Sequence, residues 1–442
     1  MIAKMEIDKT TFNDLSIFSA EEEFSVFDKM DFTRTLGGRE RLRYFFSRSL
    51  NTIEAIRGVQ QTVKSIQKNI NDWPLTISNG SIMVIQKFYE SPIDQIPASP
   101  TAASAYAYKI LHSPDFSLVK YSTGYAFYFI KGIQLLINTY LNDTSSESLK
   151  KSLQRAQIIL DKPQFAAVAK KEKADDLTIT ELLSLAYFLR YNYKQNLFEL
   201  LEIYFQLDAW YGMAIAMDKF KLVFPEFIES EAPIVKASGL YHILLPHPVS
   251  YDITLDKENN FLFLTGANMA GKSTFIRSVG TAVFLAHIGM GVPVKAMQLT
   301  LFDGLLSNIN VVDNIAKGES YFYNEVQRIK DTILKINDGR RWLILIDELF
   351  KGTNVQDAMK CSTVVIEGLI KIKHSLFVLS THLYEIGESL KTHNNISFKY
   401  FETTADDEQL KFSYQLKDGI SNDRIGYLIL KREKVIELLE KL

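Results

Sequence analysis

Residues 266–274 read GANMAGKST and fit G-x-x-x-x-G-K-[ST], a spacing suited to a loop that cradles a polyphosphate. Gly266 and Gly271 let the backbone wrap so that amide hydrogens point inward at phosphate oxygens, helped by the positive end of the helix expected to follow. Ala267, Asn268, Met269 and Ala270, lying between them, count with the nucleotide-binding residues. Lys272 then reaches the β- and γ-phosphates, Ser273 offers a hydroxyl to Mg²⁺, and Thr274 adds a second hydroxyl for phosphate or for capping the helix. A complement follows in RRWLILIDELFKGTN (340–354), where an apolar strand delivers two adjacent carboxylates. Asp347 would hold Mg²⁺ through water and Glu348 would polarise the attacking water. His382, in LSTHLYE, comes just after a further strand, where an imidazole can reach the γ-phosphate or its water. Alone, an acidic strand end or a loop histidine means little; in this order the three point to ATP and Mg²⁺.

The elements that must position these groups are legible around them. FLFLT (261–265), WLILID (342–347) and SLFVLST (375–381) are short apolar runs separated by helical lengths, the pattern of buried parallel strands in an α/β sheet. Upstream the texture is helical. Thr33 to Gln67 repeats apolar residues at three- and four-residue spacing, and further helical segments fall at about 101–112 and 121–141. Thr178 to Val223 has no proline; as one helix it would approach about 70 Å, and it reads either as one long lever or as an antiparallel pair whose turn the sequence does not locate, Gly212 being one candidate interruption. Its Tyr, Phe and Trp residues read as inter-helix packing. Proline and a change of pattern at FPEFIESEAP place a boundary near residue 230, giving domains of 1–230 and 231–442.

The chain's 442 residues, 47% of them hydrophobic, suffice for two to four domains at about 150 residues each. Fifty Lys+Arg against 52 Asp+Glu give a net charge of −2, which excludes the global positive field of a nucleic-acid coat protein. Any polyanion must be held locally. The single cysteine, Cys361, excludes an internal disulfide framework and a cysteine-rich zinc module. No signal peptide and no stretch of about 18 apolar residues is present, so a cytoplasmic protein without membrane contact is expected.

The succession GANMAGKST, GESYFYNE (318–325), LILIDELFKGTNVQDA (343–358) and STHLYE (380–385) resembles the ATPase region of the MutS DNA mismatch repair family. LPHPVSYDITL looks like that family's lead-in and LKDGISNDRIGYLILKR its closing segment, while FTRTLGGRERLRYFFSRSLNTIEAIRGVQQTVKSI resembles the start of its helical core. The resemblance implies an α/β ABC-like P-loop ATPase domain preceded by an all-α core and lever domain. It also implies a homodimer formed through the ATPase domains, each ATP lying between the phosphate loop of one subunit and a signature loop of the other. Ser320 would then contact the γ-phosphate in trans, although Ser320 also suits a helix N-cap. Glu325 and Asn354 are carried over as signature-helix and inter-subunit loop residues, Asp357 matches an acidic position, and Tyr251 or His247 would lie beside the adenine.

Departures from the family sharpen the expectation. Ala267 and Ala270 replace the usual proline and glycine, and Tyr321 stands where threonine is usual. Phe-x-Glu occurs at 88–90, 224–226 and 227–229, none in a reader-like domain, so a MutS-related ATPase lacking the N-terminal mismatch reader is expected. With KREKVIELLEKL read as a closing helix, nuclease activity is not expected. Arg39, Arg41, Arg43 and Arg48, and separately Lys150, Lys151, Arg155, Lys170, Lys171 and Lys173, offer phosphate contacts, but Glu40, Glu172, Asp175 and Asp176 interleave as on a solvated face. Two functions follow: an ATPase whose dimer closure controls binding to non-specific or branched DNA, or an ATP-switched protein-interaction module that binds no DNA. A small-molecule kinase would share the loop but leave Ser320 and His382 unexplained.

Overall fold

A computed structural model describes residues 4–18, 25–267, 269–309, 321–406, 409–421, 435 and 438. In chain order the strand β1 (Glu6–Ile7) and the helices α1 (Lys9–Asp14) and α2 (Val26–Met30) come first. Nine helices follow: α3 (Leu36–Phe46), α4 (Ile53–Lys68), α5 (Asn79–Glu90), α6 (Ala102–Leu111), α7 (Ser113–Tyr140), α8 (Glu147–Leu160), α9 (Ala166–Lys170), α10 (Ile179–Tyr187) and α11 (Lys194–Phe220). Strands and helices then alternate: β2 (Glu226–Phe227), β3 (Val235–Leu240), β4 (Tyr251–Leu255), β5 (Phe261–Gly266), α12 (Lys272–His287), β6 (Ala296–Leu299), β7 (Gly304–Asn308), α13 (Tyr321–Ile336), β8 (Trp342–Asp347), α14 (Val355–Leu369), β9 (Ser375–Ser380), α15 (Glu385–Leu390), β10 (Ile396–Asp406) and β11 (Gln409–Asp418).

Contacts divide the chain into two compact units, and not at a single cut near residue 230. One comprises Met1–Lys29, Arg48–Ile56 and Phe220–Leu442; the other comprises Met30–Ser47 and Arg57–Lys219. The first segment of chain, expected in the helical half, therefore belongs with the sheets. The reason is local: β1 pairs in parallel with β7, Glu6 opposite Gly304. Asp14, 1% exposed, accepts hydrogen bonds from the Ser307 hydroxyl at 2.6 Å and the Ile309 amide at 3.0 Å.

Within the sheet unit, strands run in the order β1-β7-β8-β9-β5-β10-β11. The expected apolar runs are the centre of this sheet. β8 and β9 pair in parallel, as do β9 and β5, and every residue of β8 and β9 is buried, as continuous apolar strands covered on both faces must be. A second sheet has the order β2-β6-β3-β4. Phe261, Phe263, Trp342, Ile344, Phe377 and Ile366 build the core on the α14 side of the larger sheet.

In the other unit the described regular elements are helical. The Thr178–Val223 stretch is neither one lever nor a pair broken at Gly212. It divides at a π-helical turn, Phe188–Asn192, between α10 and α11. Gly212 lies inside α11 for a packing reason: a Cβ there would stand 3.0 Å from the backbone nitrogen of Thr33. The aromatic residues pack as core, with Trp73 stacked on Tyr211 at 4.3 Å and Tyr204 fully buried. Asp208 is also fully buried, accepting from the amides of Arg34 and Thr35 and from the Thr35 hydroxyl, which in turn caps α3. The closing helix expected in KREKVIELLEKL lies outside the described residues apart from residues 435 and 438.

Candidate functional site

The phosphate-loop sequence leaves β5 at Gly266 (φ +140°) and enters α12 after Gly271 (φ +109°), both conformations that favour glycine. At Gly266 a Cβ would also stand 3.2 Å from the Cβ and carbonyl oxygen of Phe401 on the neighbouring β10. Under the loop, Tyr251 meets Phe275 and Phe401 edge-on at 5.4 and 5.5 Å, a rigid floor. Ala267 and Ala270 point inward and are buried, while Met269 (φ +66°) is 75% exposed. Asn268 lies outside the described residues. No side chain among the described residues caps the N-terminus of α12, which leaves its positive end available to an anion.

Lys272 is 5% exposed, and its ammonium donates to the carbonyls of Gly266 at 2.8 Å and Ala267 at 2.9 Å. Burial brings its pKa down to about 8, against the opposing pull of Glu348 and Asp347. Such a cation in the low-dielectric base of a loop gains strongly from an approaching anion.

Asp347 and Glu348 stand where β8 ends. Asp347 is 8% exposed and accepts from the Ser380 hydroxyl of the neighbouring strand. Glu348 leaves the strand with φ +64°, and Phe350 follows with φ +59°, two left-handed residues that are not glycine. Such strain persists where the surroundings over-determine the backbone. The Glu348 carboxylate meets His382 Nε2 at 2.5 Å and Lys351 Nζ at 3.0 Å. Burial works to raise its pKa, but His382 and then Lys351 outweigh it and hold the carboxyl at about 2. His382 also lies 3.5 Å from the Lys272 ammonium, so Lys272, Glu348 and His382 form one cluster.

A cleft of about 500 Å³ opens over this cluster. Lys272, Ser273, Thr274 and Glu348 line its polar side, and Leu245, Pro246, His247, Val249, Tyr251 and Tyr414 its apolar and aromatic side. Both His247 and Tyr251, the two alternatives for the adenine neighbour, thus face the same space. Burial, followed by the nearby Tyr414, pushes the Tyr251 hydroxyl up to about 12. Ser273 and Asp347 fit a magnesium ion in kind, since hydroxyl and carboxylate oxygens are hard donors and Asp347 is a buried carboxylate.

Sequence reasoning missed Tyr414, which sits in a strand of ordinary alternating residues, and Lys351. A lysine three residues beyond the acidic pair was the available signal for the latter. Asn354 and Asp357 form the N-cap of α14, the Asn354 side chain accepting the Asp357 amide at 3.0 Å. Ser320 lies outside the described residues. Arg39 pairs with Asp31, Arg41 with Glu202 and Arg155 with Glu199, as on a solvated face.

The pattern of the family described as MutS domain V matches residues 262–437. That span begins in β5 and takes in the phosphate loop, β8 and His382. The DNA mismatch repair protein MutS of Leuconostoc citreum is 34% identical over 179 residues, 40% of this chain and 20% of that protein. Its counterpart in Oceanobacillus iheyensis is 23% identical over 426 residues, 91% of this chain and 47% of that protein.

Residues 262–437 are similar to MutS domain V, and a larger part of the chain is similar to MutS proteins.

A third MutS, from Staphylococcus haemolyticus, is 28% identical over 312 residues, 66% of this chain and 34% of that protein. The chain therefore spans between a fifth and about half the length of these MutS relatives. No helix among the described residues is long and apolar enough to cross a membrane.

Proposed function

We propose that the chain is an ATPase that binds ATP and Mg²⁺ in the cleft over Gly266–Thr274 and couples hydrolysis to the association of two copies. The convergence of Lys272 and Glu348 on His382, which lies 3.5 Å from the first and 2.5 Å from the second, carries this reading. Lys272 would exchange its two carbonyl partners for phosphate oxygens. Ser273 and Asp347 would hold Mg²⁺, which supplies charge neutralisation at the β- and γ-phosphates. Glu348, ionised and aimed by His382, would orient the attacking water, and the wall bearing Tyr251 and Tyr414 would take the base. Ser320 of a second copy would contact the γ-phosphate. Closure of the dimer would control binding to DNA, non-specific or branched rather than mismatched, without cleavage of it.

The pairing of Arg39, Arg41 and Arg155 with carboxylates favours a second reading, an ATP-switched module for a protein partner. Gel-shift titration with duplex, mismatched and junction DNA, at two salt concentrations and with ATP, ADP or no nucleotide, separates the two. Salt-sensitive, nucleotide-dependent binding to duplex or junction is the expected result. An absence of binding in every state would leave the ATPase and remove DNA.

A further inference from the structure

The strained loop after β8 does not hold itself. Glu325, on α13, is 4% exposed, and its carboxylate receives the amides of Lys351 and Gly352, each at 3.2 Å. The Phe350 amide is directed at the same group. Two consecutive backbone amides thus bond to one buried carboxylate, with that of Phe350 beside them, the arrangement by which a chain grips an anion. Here the anion is the protein's own. The Phe322 ring, one turn earlier on α13, packs on the Phe350 ring at 5.7 Å, so the same helix grips the loop by a second contact. Within this loop stand the two left-handed residues, Glu348 and Phe350, and Lys351, whose ammonium meets Glu348 at 3.0 Å.

α13 is itself bolted down one turn further along the same face. Arg328, one turn beyond Glu325, donates through Nη2 to the Ser307 carbonyl at 2.6 Å and lies 3.5 Å from the buried Asp14 carboxylate. Its Nε donates to the Asn308 side chain. A helix fixed to β7 by one side chain and to the β8 loop by another can dictate where that loop sits.

We propose that Glu325 is a positioning residue of the hydrolytic site, anchoring the 348–352 loop so that Glu348 keeps the left-handed backbone from which its carboxylate faces the phosphate loop. The inference rests on the ATPase reading above and adds that turnover, not nucleotide binding, answers to the grip of α13. Without the carboxylate, the Lys351 and Gly352 amides lose their acceptor, the strained residues relax, and Glu348 leaves its place while Lys272, Ser273 and Thr274 keep theirs.

Glu325→Gln tests this on the whole chain, with ATP affinity measured by titration of a fluorescent ATP analogue and turnover by phosphate release. The expected result is a fall in kcat of at least about ten-fold with the dissociation constant changed less than about two-fold. Glu325→Asp, which keeps the charge but withdraws it by one methylene, should recover part of the turnover; it also carries the test should Glu325→Gln lose its melting transition. In a Glu348→Gln background, Glu325→Gln should slow the residual rate less than about two-fold, because both changes remove the same group from its task. Wild-type kcat in Glu325→Gln, equal losses of affinity and turnover, or full additivity with Glu348→Gln would each overturn the proposal while leaving the ATPase standing. A wild-type chain that binds no ATP would remove both.

Discussion

Two acidic side chains, both largely withdrawn from water, behave in opposite ways. Asp208, in the helical unit, has its pKa raised to about 6 because burial outweighs the Thr35 hydroxyl, the amides of Arg34 and Thr35 and, last, the charge of Arg34. Glu348, in the sheet unit, is held at about 2 although burial pushes it upward too, because His382 and Lys351 stand against it. Neutral donors with a cation acting only through its field do not offset a carboxylate's lost hydration; cationic groups in direct contact do. The first arrangement fastens a helix end. The second keeps a charge ready beside the Gly266–Thr274 loop, and only the second stands on a left-handed backbone.

The largest expected effect separates the two at once. Glu348→Gln should slow ATP hydrolysis by about 10²- to 10³-fold while ATP is still bound, read by single-turnover phosphate release; undiminished turnover would place the water-orienting group elsewhere. Lys272→Ala should weaken ATP binding by about 100-fold in a calorimetric titration, since a buried ammonium would be missing from the phosphates. The pH dependence of stability probes the comparison directly. Between its ordinary 3.8 and the folded value of about 6, Asp208 holds a proton that the unfolded chain has released. Stability therefore falls as pH rises through that window, by about 3 kcal/mol in order of magnitude. Asp208→Asn should flatten that part of the curve, measured as the urea midpoint of the helical unit between pH 4 and 7. Glu348 contributes with the opposite sign: its stabilisation is present above 4.5 and is lost as pH falls toward about 2. The smallest effect is expected at the base wall, where Tyr414→Ala should weaken ATP by about five-fold and leave inorganic triphosphate unaffected, stacking being worth about 1 kcal/mol.

Much of the sheet unit was legible because its chemistry and its strands share the same residues. FLFLT, WLILID and SLFVLST are continuous apolar runs, and each ends at a residue of the cleft or close to one. The loop glycines at 266 and 271 carry positive φ as the motif requires. The helical unit was legible as helices but not in its breaks. Gly212 looked like an interruption and is a packing contact, whereas the π-helical turn at Phe188–Asn192 has no glycine or proline to announce it. Lys351 and Tyr414 escaped notice because their importance comes from what folding brings beside them. The membership of residues 4–18 in the sheet unit escaped for the same reason, since two residues of strand carry almost no periodicity.

That short leading segment has a consequence for synthesis. The Ser307 amide that bonds the Thr11 hydroxyl lies 296 residues further along the chain. At ribosomal speeds of about 5–20 residues per second, the segment would wait roughly 15–60 s for its neighbour to emerge. The helical unit, drawn from Met30–Ser47 and Arg57–Lys219, is complete well before then. The order of assembly is thereby written into the topology: the sheet unit can close on residues 4–14 only after the helical unit has been made.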